Sequence, residues 1–449
     1  MSSAASGERL AGTERRVSDP GHQTGGVHHP QGRIGLPTAS ALYIAAVLGT
    51  GVLVLPGLAA DAAGPASILA VAIVFVVSIP LAATFAALAA RYPDAGGVAT
   101  FVRIALGPTA ARMTGYWFLF GCGFGAPVVA MLGGEYLSAA IGLEPAWVPV
   151  VGIAVFLLTF VLAWIGLRVS GGAQLGLTAL LVAVVLLVVL SAGPAADPAH
   201  LEPFLPHGWA GVGLAISLFV WAFAGWEAIT HWAGEFRNPR RTLPLATAIA
   251  VVVVGAAYIA LQVATVLVLG TEGHSGVVPL LDLVAVTLPG IGPAIVAAIA
   301  VIVVVGVLNV YVPAFANLAA SLGRDGDLPR ALGKGAAAGE VPRRGLLLTL
   351  GMCLGYLVLF FALGLDLDVF VLAHTSSMVA VYLVGTVAAV KLLDRFSVGW
   401  WMAVISVVLT AGLVALAGAN LLIPAVLAVI ALAVTFARRR TASKERVDA

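Results

Sequence analysis

One acid stands inside a long apolar stretch. It is Glu227, at the end of Trp221-Ala222-Phe223-Ala224-Gly225-Trp226-Glu227. A carboxylate surrounded by hydrocarbon is costly unless it is neutral or paired, which makes Glu227 a candidate proton carrier or pH-sensitive latch. The competing reading is a structural carboxyl, hydrogen-bonded to the backbone of helix 1 or helix 8. Just ahead of it, Ala224-Gly225 interrupts the stretch, and Gly49-Thr50-Gly51, followed by Pro56 and Gly57, interrupts another. Each glycine costs about 1 kcal/mol in a helix interior, and backbone unwound at such places is tolerated where it lines a cavity or binds a ligand. Close helix packing through small residues explains either break taken alone. His374, ahead of Thr375-Ser376-Ser377, has the chemistry to titrate near neutral pH, although a hydrogen bond between helices is its simpler role. His231 reads as interfacial, and Gln174, Gln262 and Asn309 as bridges between helices. Glu135 is assigned no role. Cys122 and Cys353 sit in apolar runs without metal-ligand spacing, so neither a disulfide framework nor a zinc site is expected. Neither a cofactor nor the His/Asp/Glu cluster of an intramembrane enzyme is indicated.

Only membrane-spanning helices can position these residues. Of 449 residues 61% are hydrophobic and 10% charged, with a mean hydropathy of +1.07; soluble proteins carry about 25% charged residues, so a water-soluble enzyme is excluded. The net charge of +2 gives no case for nucleic acid, because the basic residues form short clusters between apolar runs. Residues 1–34, rich in Gly, Ser, His and charge, read as a disordered tail. They lack the apolar core of a cleavable signal peptide, so the first span is expected to direct insertion. From Leu36 onward there are roughly twelve spans of suitable length. Their limits are 36–62, 66–90, 112–141, 146–165, 172–192, 209–233, 243–270, 291–322, 345–364, 368–391, 398–418 and 420–437. The loops at 91–112 and 323–344 look amphipathic or irregular.

With the N-terminus in the cytoplasm, all 23 Lys and Arg residues fall on the cytoplasmic side of this map. The outer loops keep acids such as Glu144, Asp197, Glu202, Glu272, Asp366 and Asp368. One missed span would invert everything after it, so the partition supports the count and puts both termini inside. The two interrupted spans are the first and the sixth. Five is odd, so a second five-helix unit must run opposite to the first. Matched breaks in two inverted halves are the best sequence pointer to a transporter's binding site.

Three stretches resemble the amino acid–polyamine–organocation superfamily of secondary transporters. They are Gly49-Thr50-Gly51-Val52 with Leu55-Pro56; Tyr92-Pro93-Asp94-Ala95-Gly96-Gly97 running to Phe101, Arg103 and Leu106-Gly107-Pro108; and Trp221 to Glu227 with Glu235, Asn238-Pro239 and Pro244. A fourth is Asn309 with Ser321, Arg324-Asp325-Gly326 and Leu328-Pro329. Around Ala111-Arg112-Met113-Thr114-Gly115 the chain is similar to a bacterial branch that exports neutral amino acids. The resemblance implies an all-α integral membrane protein of the LeuT type. Its five-helix repeats would cover 35–192 and, inverted, 208–392, with two helices over 398–437 and a cytoplasmic tail over 438–449. It implies a secondary transporter of amino acids in the plasma membrane and no enzyme.

Carried over residue by residue, Thr50 and Gly51 would hold the substrate carboxylate. Trp221, Ala222 and Ala224 would hold its amine through carbonyls. Val47, Leu48, Gly49, Phe223 and Gly225 complete the region, and Ala46 stands where relatives that handle arginine carry a polar residue. Trp221 would act as a gate or simply pack. The substrate is expected to be neutral and aliphatic, moved by alternating access. Span 5 carries Leu180-Leu181 where some relatives have a coupling lysine, so protons, sodium and plain exchange all stay open. A polyamine or other organic cation carrier would ask for acids in the pocket. A transporter-like sensor would ask for a signalling domain, which tails of this size do not supply.

Overall fold

The lengths of the apolar helices set the architecture. The computed structural model describes residues 34–94, 96–166, 171–227, 229–230, 236–270, 279–290, 292–335, 340–365 and 367–447. The first span is α1 (Leu36–Leu48) and α2 (Gly51–Ala63), parted at Gly49-Thr50, and α3 (Ser67–Arg91) follows one 3₁₀ turn. A straight helix over the 56 residues of Leu36–Arg91 would be about 84 Å long, against a hydrocarbon core of about 30 Å, so this stretch makes two passes. The loop before the third span carries a short amphipathic helix, α4 (Val98–Leu106), which buries Val98, Phe101 and Val102. Gly97 and Gly107, both at positive φ, let the chain turn at its two ends.

The third span is less regular than its sequence suggested. Between α5 (Pro108–Tyr116) and α6 (Gly125–Ile141) lie a π turn, Trp117–Gly121, and a 3₁₀ turn, Cys122–Phe124. Then come α7 (Val148–Trp164), α8 (Gly171–Ala192), α9 (Gly208–Ala222), α10 (Pro239–Leu269), α11 (Pro279–Thr287) and α12 (Gly292–Arg324). The remaining helices are α13 (Arg343–Leu363), α14 (Leu367–Leu392), α15 (Val398–Ala417) and α16 (Leu422–Val447). Among the described residues, nine helical stretches are long and apolar enough to cross a membrane. Two of them, Leu36–Arg91 and Val398–Phe436, are long enough for two passes each, and α9 is the short first half of the sixth span.

Three boundaries differ from the sequence reading. The seventh span begins at Pro239, because proline after Asn238 suits the first helical position. The last helix continues to Val447 through the segment expected to be a tail, since its Ala, Arg, Lys and Glu favour helix and basic residues suit a helix C-terminus. Ile34, expected in the disordered tail, pairs with Phe236 in an isolated bridge and accepts the Arg237 N–H at 3.0 Å. Residues 1–33, His231, Glu235, Glu272 and Asp366 lie outside the described residues.

Helices in lipid gain little from hydrophobic burial, so their packing relies on close van der Waals contact through small residues. A Cβ on Gly134 would stand 2.4 Å from the Val148 carbonyl oxygen, and one on Gly152 would stand 2.8 Å from that of Ala130. Backbone therefore meets backbone between α6 and α7. Two groups result: α1, α2, α3, α9 and α10 pack mainly on one another, as do α6, α7, α12 and α13. Spans 3, 8 and 10 are the most enclosed, and α15 and α16 the least.

Candidate functional site

The two helix breaks are buried and meet one another inside the bundle. At the first, Gly49 takes φ +24°, and Thr50 precedes the first turn of α2. Helix geometry leaves the first N–H groups of α2 without helical partners, while the last carbonyls of α1 are orphaned in the same way. The Tyr258 hydroxyl on α10 donates to the Leu48 carbonyl at 2.8 Å, with the Val47 carbonyl at 3.4 Å. At the second break, α9 ends at Ala222 and Gly225 takes φ +130°. A Cβ on Gly225 would stand 3.0 Å from the Ala46 carbonyl oxygen, so only glycine lets the breaks approach this closely.

Between them lies a small cavity of about 40 Å³. The first span contributes Ala46, Val47, Thr50 and Gly51; the third contributes Cys122, Gly125, Ala126 and Val129. Trp221 and Ala224 come from the second break, Val307, Leu308, Tyr311 and Phe315 from α12, and His374 from α14. Of the residues expected from sequence, Val47, Thr50, Gly51, Trp221 and Ala224 are brought together here. Leu48, Gly49, Ala222, Phe223 and Gly225 are not in the wall. Ala222 packs beneath Gly51, Phe223 lies 5.3 Å from the Tyr258 ring, and Gly49 abuts Val307.

His374 belongs to this wall and also bonds between helices, the simpler of the two roles weighed for it from sequence. The irregular turn of the third span exposes carbonyls, and two side chains cover them: Tyr356 donates to the Phe120 oxygen at 2.7 Å, and His374 Nδ1 lies 2.8 Å from the Cys122 oxygen. A carbonyl only accepts, so Nδ1 carries the proton and a neutral ring keeps a lone pair on Nε2. The ring sits 4.4 Å from that of Trp221. Gly125 makes room for it, since a Cβ there would be 2.7 Å from Nδ1. The signal in the sequence is Gly121-x-Gly123-x-Gly125, three close approaches in five residues, together with a histidine in an apolar span.

Glu227 is fully buried behind the second break and does not line the cavity. Its Oε2 accepts the Gly225 N–H at 3.1 Å and the hydroxyl of Tyr382 on α14. The partners are thus its own loop and the tenth span, in place of the helix 1 or helix 8 backbone weighed from sequence. In span 5, Leu181 faces a small pocket shared with Gln174, Thr178 and Val303, while Leu180 is exposed. Gln262 bridges helices as expected, donating to the Pro56 carbonyl at 3.1 Å and to Ser67 Oγ at 2.7 Å.

On the basic face, the second and fourth resembling stretches join. Asp327, with 1% of its side chain exposed, binds Arg103 and, at 2.8 Å, Arg112. The Tyr116 hydroxyl donates to its carbonyl at 2.9 Å, and Arg112 also reaches Thr435 on α16. Nearby, Asp94 Oδ1 accepts from Thr100 at 2.7 Å and the Gly96 N–H at 2.8 Å, with Arg324 at 3.6 Å. Burial raises the Asp94 carboxyl, but these donors and the guanidinium together outweigh it and hold the group below the usual carboxylate range.

Comparison with known proteins fits this architecture. Residues 34–442 match the family model for amino acid permeases. An uncharacterized amino acid permease of Bacillus subtilis is 30% identical over 396 residues, 87% of this chain and 92% of the relative. An L-methionine/branched-chain amino acid exporter of Escherichia coli is 30% identical over 371 residues, 80% of this chain and 86% of the relative. The crystal structure of MhsT in complex with L-phenylalanine superposes with a TM-score of 0.58 at 17% identity, covering 89% of this chain and 99% of that one.

Proposed function

Because the chain belongs to the amino acid permease family, we propose that it carries neutral, aliphatic amino acids across the plasma membrane by alternating access. The supporting observation is the cavity wall, which among the described residues contains no Asp, Glu, Lys or Arg. The charged ends of a zwitterion would therefore meet backbone and its side chain would meet hydrocarbon. The carboxylate faces the N–H groups of Thr50 and Gly51 at the positive end of α2. The amine faces the carbonyls of Trp221 and its neighbours at the negative end of α9. Val47, Val129, Val307, Leu308 and Phe315 form the side-chain wall, with Trp221 and His374 closing one end. A relative named as an exporter of methionine and branched-chain amino acids favours the same substrate class. An organic cation would need an acid in the wall, and Glu227 stands behind it.

The α1–α3, α9 and α10 group rocks against the α6, α7, α12 and α13 scaffold, opening the site to each side in turn. The inverted repeats run over 35–192 and 208–392, with 398–437 appended, and the charge partition places both termini in the cytoplasm. Glu227, two residues past the Gly225 hinge, is the acid through which proton coupling would act.

Counterflow in proteoliposomes tests this reading. Vesicles preloaded with a pool of neutral amino acids should accumulate labelled leucine or methionine from outside. Imposed pH and sodium gradients then name the driving ion. Counterflow of a polyamine, with none of any neutral amino acid, would overturn the substrate class.

A further inference from the structure

Four fully buried polar atoms beside the second break lack a hydrogen-bond partner among the described residues: Tyr43 Oη on α1, Thr247 Oγ1 on α10, Trp226 Nε1 and Glu227 Oε1. They share one corner of the bundle. The Tyr43 ring lies 6.1 Å from that of Trp226. Its hydroxyl faces Thr247 and the Glu227 carboxyl. Buried polar groups are nearly always paired, with protein or with ordered water. This set mixes a carboxyl acceptor, two hydroxyls and an N–H donor. Water both donates and accepts, so it can serve them all, whereas a bare cation would leave the indole N–H unpaired.

The position of this corner adds a direction. Tyr43 lies about 10 Å along α1 from Leu36, and Thr247 about 12 Å along α10 from Pro239. Both helices start at the end joined by the Ile34–Phe236 bridge. In the other direction, Ala46, one turn past Tyr43, touches Gly225. Tyr43 and Thr247 therefore stand between the Gly225 break and the face where α1 and α10 begin, which the charge partition makes cytoplasmic.

We propose that water held by Tyr43, Thr247 and Glu227 is the route by which Glu227 exchanges its proton with the cytoplasm. This rests on the coupling role proposed above for Glu227. Water passes a proton to Oε1, the carboxylate becomes a carboxylic acid, and the water is restored by a proton from the next molecule towards the cytoplasm. Oε2 stays fixed by Tyr382 and the Gly225 N–H throughout. Among the described residues, the other titratable groups facing Glu227 are Tyr43 on α1, Cys122 in the third span, Tyr311 on α12 and Tyr382 on α14. All are phenols or a thiol, neutral at physiological pH, which leaves Glu227 as the group that changes charge.

The test uses the full-length protein in liposomes containing a pH dye, with leucine added and proton movement timed. Tyr43→Phe with Thr247→Val removes both hydroxyls at nearly constant shape. Leucine binding should persist while leucine-driven proton movement slows about a hundredfold, the low end of what losing a positioned proton-transfer group costs. Thr247→Ser, made in place of Thr247→Val, keeps the hydroxyl and should keep the rate that Thr247→Val loses. Wild-type proton kinetics in the double variant would overturn the route while leaving Glu227 in place. Leucine transport without proton movement, or proton movement unaffected by Glu227→Gln, would overturn the coupling role and the route with it. Should the double variant fail to fold, Thr247→Val alone, compared with Thr247→Ser, decides by the same rates.

Discussion

Gly51→Ala should break the first half of the site through Tyr258. The new methyl group would stand 2.3 Å from Tyr258 Oη and 3.2 Å from Ala222 Cα. The first distance is impossible, so the hydroxyl must leave the Leu48 carbonyl it holds at 2.8 Å. A buried carbonyl left unpaired costs about 1–3 kcal/mol, and overpacking α2 against α9 costs about 1–3 kcal/mol more. The variant should therefore lose about 2–6 kcal/mol of stability and bind leucine weakly, because the N–H groups at Thr50 and Gly51 move with the helix end. Tyr258→Phe alone should cost about 1–3 kcal/mol. Gly51→Ala has already sacrificed that hydrogen bond, so the double variant should be little worse than Gly51→Ala by itself. That is a coupling of about 1–3 kcal/mol in a double-mutant cycle. The assay is unfolding in detergent with and without leucine, beside a direct binding measurement. Additive effects of the two changes, or a Gly51→Ala protein that unfolds and binds like the wild type, would refute the reasoning.

Three further perturbations address other parts of the molecule. Asp327→Asn strips the counter-charge from Arg112, whose side chain is 9% exposed; stability should fall by about 3–5 kcal/mol, seen as a large drop in the detergent melting temperature, while surviving protein keeps its leucine affinity. Asp94 is held below the ordinary carboxylate range by Thr100, Gly96 and Arg324 despite its burial. Its contribution is thus fully present above about pH 4 and fades only as pH falls through the lowered value. Asp94→Asn should lower the melting temperature equally at neutral and mildly acidic pH, and a deficit that changes between those conditions would contradict this. His374→Ala vacates the end of the cavity beside Trp221, so phenylalanine should gain on leucine in competition binding. An unchanged order of preference would remove His374 from the wall that selects the side chain.

The apolar helices were legible because lipid imposes their length and composition locally. Span length, the sorting of basic residues, and the cost of glycine at Gly49, Gly51 and Gly225 are each properties of a short segment. The amphipathic pattern of the 91–112 loop likewise announces α4. Periodicity and composition fade at helix ends, which is why α16 runs past its expected stop and α10 starts before its expected beginning.

Long-range pairing is a different matter. His374 meets the Cys122 carbonyl across 252 positions, and Tyr382 meets Glu227 across 155. Nothing in the neighbourhood of either residue names its partner. Glycines 121, 123 and 125 signalled close approach in the third span without saying to what. The backbone irregularity between Trp117 and Phe124 depends on side chains from α13 and α14 that cover its carbonyls. Sequence thus carried the helices, their order along the chain and the places where two of them open. Tertiary packing decided which side chains surround the opening and which acid stands behind it, because each exposed carbonyl, N–H or carboxyl must find a partner wherever the fold brings one.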